Sequence, residues 1–241
     1  MRGHWPQPIT GATAACLLLA LGLAAGCRTV PFAVEPRVPV ASCCPDDLRE
    51  RFAARLPARF QSTSSVIFDY RWHSLVTLGY ATVSLPENTF AAVCLTPLGV
   101  KLFEVKGSGP ATEFQSVLPE FTQHPEFGQA VGEDIRRVYL DPVPGPAAEV
   151  RREKGAVVFT QRQPGGYVEY IFGGRECLLL EKRYYEGSRL VWEIGFYEYN
   201  EHEGRLFPHG VVLRNHRYGY SLTLRTKDVR LLPPPAAAGH P

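Results

Sequence analysis

The chain has 241 residues, with 26 basic against 24 acidic side chains and a formal net charge of +2. Near-neutral charge without a basic run makes neither nucleic acid nor an anionic surface a suggested partner. A single methionine beside 13 Phe and 11 Tyr leans the composition towards β structure.

The N-terminus reads as a targeting segment. Met1 to Trp5 carries one positive charge, and Ala12 to Ala25 is an apolar run. That run is shorter than the roughly 20 residues a bilayer span needs, and suits the hydrophobic part of a secretory signal. Leu23-Ala24-Ala25-Gly26 before Cys27 resembles the bacterial lipobox, in which cleavage leaves the cysteine as an acylated N-terminus. Ala24 stands where that pattern more often has leucine. The alternatives are an ordinary signal cleaved after an Ala-x-Ala-like site and an uncleaved anchor. Arg28 replaces the aspartate of the inner-membrane retention signal, so the expected address is the periplasmic face of the outer membrane, lipid-anchored through Cys27. The expected segments are a signal peptide over 1–26, a lipidated tether over 27–45 with Pro31, Pro36 and Pro39, a domain over 46–232 and a disordered Pro/Ala-rich tail over 233–241. Without the signal about 210 residues remain, enough for one well-buried domain.

Cys43, Cys44, Cys94 and Cys177 remain in an oxidising space, and their three possible pairings stay open. Cys94 and Cys177 sit in apolar runs and read as small buried hydrophobes. No His or Cys stands at zinc spacing near them, so no metal is expected.

Leu48, Phe52 and Leu56 fall four apart after Asp46-Asp47, which predicts a short amphipathic helix stopped by Pro57. Val66, Phe68, Tyr70 and Trp72 then alternate with Ile67, Asp69, Arg71 and His73, a period of two with one aromatic face. Leu75 to Leu85 continues as strand and turns at Pro86-Glu87-Asn88. Phe90 to Val105 reads as two strands around Thr96-Pro97-Leu98-Gly99, where Pro97 presets φ and Gly99 accepts a positive φ. Leu98 is an oddly apolar tip: folding back onto a neighbouring loop is the plain expectation, contact with a membrane or partner the sharper one. Thr112 predicts a capped helical turn through Leu118. Pro125 suits the start of a second helix with Phe127, Val131, Ile135 and Val138 on one face. Asp141 to Pro146 is a connector.

Strands resume as the hairpin 156–172 around Pro164-Gly165-Gly166, the hairpin 177–199 around Glu186-Gly187-Ser188, and a last pair over 211–214 and 220–224. In the second hairpin Trp192, Ile194 and Phe196 share a face, as do Leu222 and Leu224 in the last strand. The expected fold is mainly β with short helices: a single strongly curved antiparallel sheet of about 10–11 strands forming an unclosed half β-barrel, covered by short α-helices. A filled interior is the plain expectation for it and a partly open apolar cavity the alternative.

No nucleophile elbow, zinc-protease helix or phosphate loop is present, and Glu201-His202-Glu203 sits beside Gly204 in a polar loop. No enzyme activity and no cofactor are expected.

Three stretches are similar to the LolA/LolB lipoprotein-localisation family, LolB in particular. They are Leu95-Thr96-Pro97-Leu98-Gly99 leading into Leu102-Phe103-Glu104-Val105, then Ile135-Arg136-Arg137-Val138-Tyr139-Leu140 before Pro142 to Gly145, and finally Pro208 to Lys227. The resemblance implies a helix-lidded open barrel that binds acyl chains of a lipid or lipoprotein cargo and transfers them into the membrane. It also implies a membrane-insertion loop at Pro97, Leu98 and Gly99, and a LolA-like periplasmic carrier as a partner. The alternating faces offer Phe68, Tyr70, Trp72, Trp192, Ile194, Phe196, Leu222 and Leu224 as cavity lining. A one-residue change of register would invert that face. The alternative function is a structural envelope lipoprotein with a filled barrel and a protein partner.

Overall fold

The alternating runs become strands of one sheet. The computed structural model describes residues 30–39, 45–123 and 126–234. The expected signal peptide, Cys27, Cys43, Cys44, Pro125 and the tail from residue 235 lie outside the described residues. Helix α1 (Pro45–Arg55) opens the domain and is followed by β1 (Arg59–Tyr70), β2 (His73–Ser84), β3 (Thr89–Leu95), β4 (Lys101–Ser108) and β5 (Ala111–Val117). Two short helices, α2 (Pro119–Thr122) and α3 (Phe127–Ile135), lead into a π-helical turn over Arg136–Leu140. The chain then forms β6 (Glu149–Glu153), β7 (Ala156–Gln163), β8 (Gly166–Gly173) and β9 (Leu178–Glu186). It ends with β10 (Arg189–His202), β11 (Arg205–Asn215) and β12 (Tyr220–Leu231).

All twelve strands join one antiparallel sheet in the order β5-β4-β3-β2-β1-β12-β11-β10-β9-β8-β7-β6. The first five meander outward from β1, the last seven return inward to β12, and β1 pairs with β12 at the centre. The edges β5 and β6 do not pair with each other, so the sheet stays open. The helical crossover between them packs onto both halves. Val131, Ile135 and Tyr139 meet Phe60, Val83, Phe90 and Val105, while Val138 joins Val157, Tyr170, Trp192 and Ile194. The sheet thus wraps its own crossover, which becomes a lid on the inner face.

Two elements depart from expectation. The segment from Thr112 to Leu118 is strand β5, not a helical turn: Thr112 and Phe114 share the face of their β4 partners Gly107 and Val105. Edge strand β6 was not expected; it is exposed throughout and rich in charge, which guards a sheet edge against further pairing.

Residues 32–39, within the expected tether, lie across the outer face. Phe32 is buried and stacks on Tyr197 at 5.5 Å, with the Arg225 guanidinium 4.5 Å from its ring centre. Gly210 makes the seat, since a Cβ there would stand 2.5 Å from the Phe32 ring. Further along, the Ala33 amide donates to Glu198 at 2.8 Å and Arg37 pairs with Glu181 at 3.3 Å.

Candidate functional site: the inner face and its helical lid

Strand pairing assigns the inner face. Phe68 stands opposite Leu222 and Val66 opposite Leu224, while on the next strands Leu222 meets Leu213, Leu213 meets Ile194 and Val211 meets Phe196. Phe68, Tyr70, Trp192, Ile194, Phe196, Leu222 and Leu224 therefore share one face, the one the lid covers. They divide by burial. Trp192, Ile194 and Phe196 are in the core, whereas Phe68, Tyr70, Leu222 and Leu224 are half-buried towards one open end.

Trp72 is a correction. The alternation ends at Tyr70, and Trp72 sits in the β1–β2 turn, 83% exposed, instead of lining the interior. Arg71 takes φ 55° to reverse the chain, so no glycine, asparagine or proline marks the turn.

Leu98 has not folded back. The Thr96 amide donates to the Val100 carbonyl at 2.8 Å, the Gly99 amide to the Thr96 carbonyl at 2.9 Å, and Gly99 has φ 84°. The turn between Pro97 and Gly99 leaves Leu98 93% exposed.

The space under the lid is almost full. Phe52, Leu56, Phe60, Val138, Tyr139 and Phe196 border a gap of about 40 Å³. Ligand pockets run to about 300–1,000 Å³, so this gap takes a water or two and not an acyl chain.

Polar side chains fasten the lid at both ends. On the β5 side the Arg136 guanidinium donates to the Gly109 carbonyl at 2.7 Å and the Thr112 hydroxyl at 2.9 Å, and lies 5.3 Å from the centre of the Phe90 ring. Gly132 lets α3 lie against β5, because a Cβ there would stand 2.1 Å from Thr112 Oγ1. On the β9 side Lys182, 0% exposed, donates from Nζ to the carbonyls of Arg137 at 2.8 Å and Asp141 at 2.5 Å. These are carbonyls at the end of the π-helical turn, which a cation caps favourably. The Tyr170 hydroxyl donates to Asp141 Oδ2 at 2.7 Å. Burial holds the Lys182 ammonium below the usual lysine range, against the opposing pull of Asp141. Between these points buried Asp134 accepts hydrogen bonds from Tyr220 and, at 2.8 Å, from Arg137, whose guanidinium lies 5.1 Å from the centre of the Trp192 ring. Burial pushes the Asp134 carboxyl up to about 6. Burial likewise raises Tyr139 to about 12, although it hydrogen-bonds Ser62 on β1. Lys182, Asp134 and Arg136 were missed as site residues; in the sequence they read as ordinary surface charges.

Among the described residues no group of His, Cys, Asp or Glu could hold a metal ion. His202 ends β10 and Glu203 begins the turn to β11; both are exposed, 3.6 Å apart. Cys94 is a free, half-buried thiol whose pKa is raised by burial, with Thr77 beside it.

No family model matches the chain, and no curated protein matches its sequence. Solved structures do match its fold. A domain assigned to outer membrane lipoprotein sorting from Vibrio parahaemolyticus aligns with TM-score 0.52 at 16% identity, covering 76% of this chain and 90% of that one. A LolA superfamily protein from Nitrosomonas europaea aligns with TM-score 0.53 at 10% identity, covering 80% and 96%. A DUF1329 family protein from Desulfovibrio piger aligns with TM-score 0.50 at 12% identity, covering 77% and 90%. Open sheet, lid and these alignments agree: the protein has the LolA/LolB-like fold.

Proposed function

We propose that the protein is a lipid-anchored acceptor at the periplasmic face of the bacterial outer membrane, which holds an acyl chain of a lipid or lipoprotein and passes it to the bilayer. The observation that carries this reading is the apolar inner face, which runs from the core under the lid to half-buried Phe68, Tyr70, Leu222 and Leu224 at the open end. Loading has to displace Val138 and Tyr139, because the gap beneath them holds no chain. The magnitudes allow it. Withdrawing those two side chains costs about 3–6 kcal/mol, at roughly 1.5–3 kcal/mol each. A 16-carbon chain leaving water gains about 12 kcal/mol gross, at roughly 0.8 kcal/mol per methylene. The difference leaves moderate net affinity, below that of the bilayer, so cargo delivered by a LolA-like carrier moves on without nucleotide or metal. Leu98 is the side chain that enters the membrane at transfer, and acylated Cys27 is the anchor.

The lid's fastenings favour a second reading, an envelope lipoprotein whose filled barrel binds a protein partner. A photoreactive residue separates the two. Replacing Leu222 by benzoylphenylalanine captures acyl chains or acylated protein on the first reading, with Ile67 on the outer face as the control. Capture equal at both positions, or of unacylated protein alone, overturns the acceptor.

A further inference from the structure

We propose that the β1–β2 hairpin is a membrane finger, with the Trp72 indole at its tip and Leu75 and Val76 as its apolar flanks. It rests on the reading above only in placing the protein at a bilayer. The hairpin projects past its neighbour on one flank: β3 pairs with β2 from Ser84 to Leu78 only, so residues 73–77 pair with β1 alone, while β12 accompanies β1 as far as Tyr70. At about 3.4 Å per residue the tip stands roughly 17 Å beyond the end of β3.

Its surface identifies what it meets. Leu75 lies opposite Phe68 on the inner face and is 37% exposed, while Val76 lies opposite Ile67 on the outer face and is 51% exposed. A protein groove would cover one of these faces. A hairpin with an exposed apolar side chain on each face and an indole at its tip matches a lipid surface, which meets both faces at once. Arg71, lying 5.1 Å from the centre of the Tyr70 ring, and His73 flank the tryptophan as donors for phosphodiester groups. Residues 73–77 keep an unpaired backbone edge, and unpaired amides are excluded from hydrocarbon. The finger therefore stops in the headgroup layer, where tryptophan partitions.

Chain length brings an anchor to the same end. Phe32 is seated on Gly210, whose partner Arg225 is five residues along β12 from Tyr220, the neighbour of Tyr70 beside the finger's tip. Cys27 precedes Phe32 by five residues, and five residues reach about 17 Å, enough to bring an acyl group on Cys27 level with that tip. The opposite end of the sheet lies within similar reach, but it exposes Glu87, Glu201 and Glu203 to a bilayer, whereas at the finger's end Asp69 and Glu186 are half-buried and Glu186 pairs with Arg189 and Arg217.

The test is the depth of Trp72. The mature chain carrying Trp192→Phe is reconstituted into phosphatidylethanolamine–phosphatidylcholine vesicles with brominated acyl chains. The proposal predicts a blue-shifted Trp72 emission that loses most of its intensity relative to unbrominated vesicles and resists aqueous iodide. Emission at the wavelength of water, quenched by iodide in both vesicles, overturns the finger. So does protection from both quenchers, the signature of a protein partner. Because Trp192 is in the core, the unsubstituted chain is compared with Trp72→Phe as well, and the lipid-quenched component must vanish in the variant. Cross-linking through residue 222 in the same vesicles keeps the two readings apart. Capture with a water-exposed Trp72 overturns the finger alone, and a lipid-quenched Trp72 without capture overturns the acceptor alone.

Discussion

Replacing Lys182 by methionine removes the donor that holds the end of the lid to β9. Nζ serves the carbonyls of Arg137 and Asp141 and lies 3.4 Å from the Asp141 carboxylate. Methionine fills similar volume and ends the desolvation of a buried ammonium, which by itself would stabilise the fold. The carbonyls remain, however, and two buried acceptors without donors cost about 1–3 kcal/mol each. We expect a net loss of about 2–3 kcal/mol, which lowers the urea midpoint by roughly 1–2 M. The loss falls on the lid, so hydrogen exchange over residues 136–141 accelerates well before the central strands. On the acceptor reading a looser lid also tightens the apparent binding of a fluorescent fatty acid, because less of the binding energy is spent on opening. An unchanged midpoint with unchanged lid exchange would refute the assignment of Lys182 as the fastening.

Other predictions follow from the same geometry. Asp134 keeps its proton to about pH 6 in the fold against about 4 in the unfolded chain, so the fold binds that proton more tightly. Its contribution is fully present below about pH 4 and is lost as pH rises through 6, an effect of about 3 kcal/mol. Asp134→Asn therefore flattens the fall in urea stability between pH 4 and pH 7, and an unaltered profile would remove Asp134 as its source. Gly132→Ala drives a methyl into Thr112 and costs about 1–3 kcal/mol of overpacking, part of which Thr112→Gly restores; equal stability of all three proteins in urea contradicts the close packing of α3 on β5. Leu98→Glu leaves cross-linking through residue 222 intact and slows transfer of cargo to liposomes. Equal transfer by both proteins would end the role proposed for that turn.

Much of the architecture was legible because half-buried strands announce themselves by alternation. The faces of β1, β10 and β12 follow from apolar residues two apart, and pairing then shows that they are one face. Trp72 broke the pattern for a physical reason: the chain reverses at Arg71 without a residue that marks turns, so the alternation reads straight through the bend. Strand β5 was obscured by Thr112, which resembles a helix cap, and by Pro119, which does start a helix one step later. Strand β6 has no apolar face, and only its pairing with β7 makes it a strand. The lid's fastenings were illegible for a different reason. Lys182 and Asp134 carry ordinary surface side chains, and their burial depends on a crossover that packs against strands distant in sequence.

Cargo in the inner face is the central claim, and native mass spectrometry tests it most directly. The chain carrying Cys27→Ser, purified without added lipid, should fly with a co-purified acyl-bearing ligand, whose loss on collisional activation returns the apo mass. The Phe196→Trp variant, crowded where the chain would lie, should carry less of it. A clean apo mass under gentle conditions, with no uptake of added palmitoyl lipid, would contradict the account and leave a filled barrel.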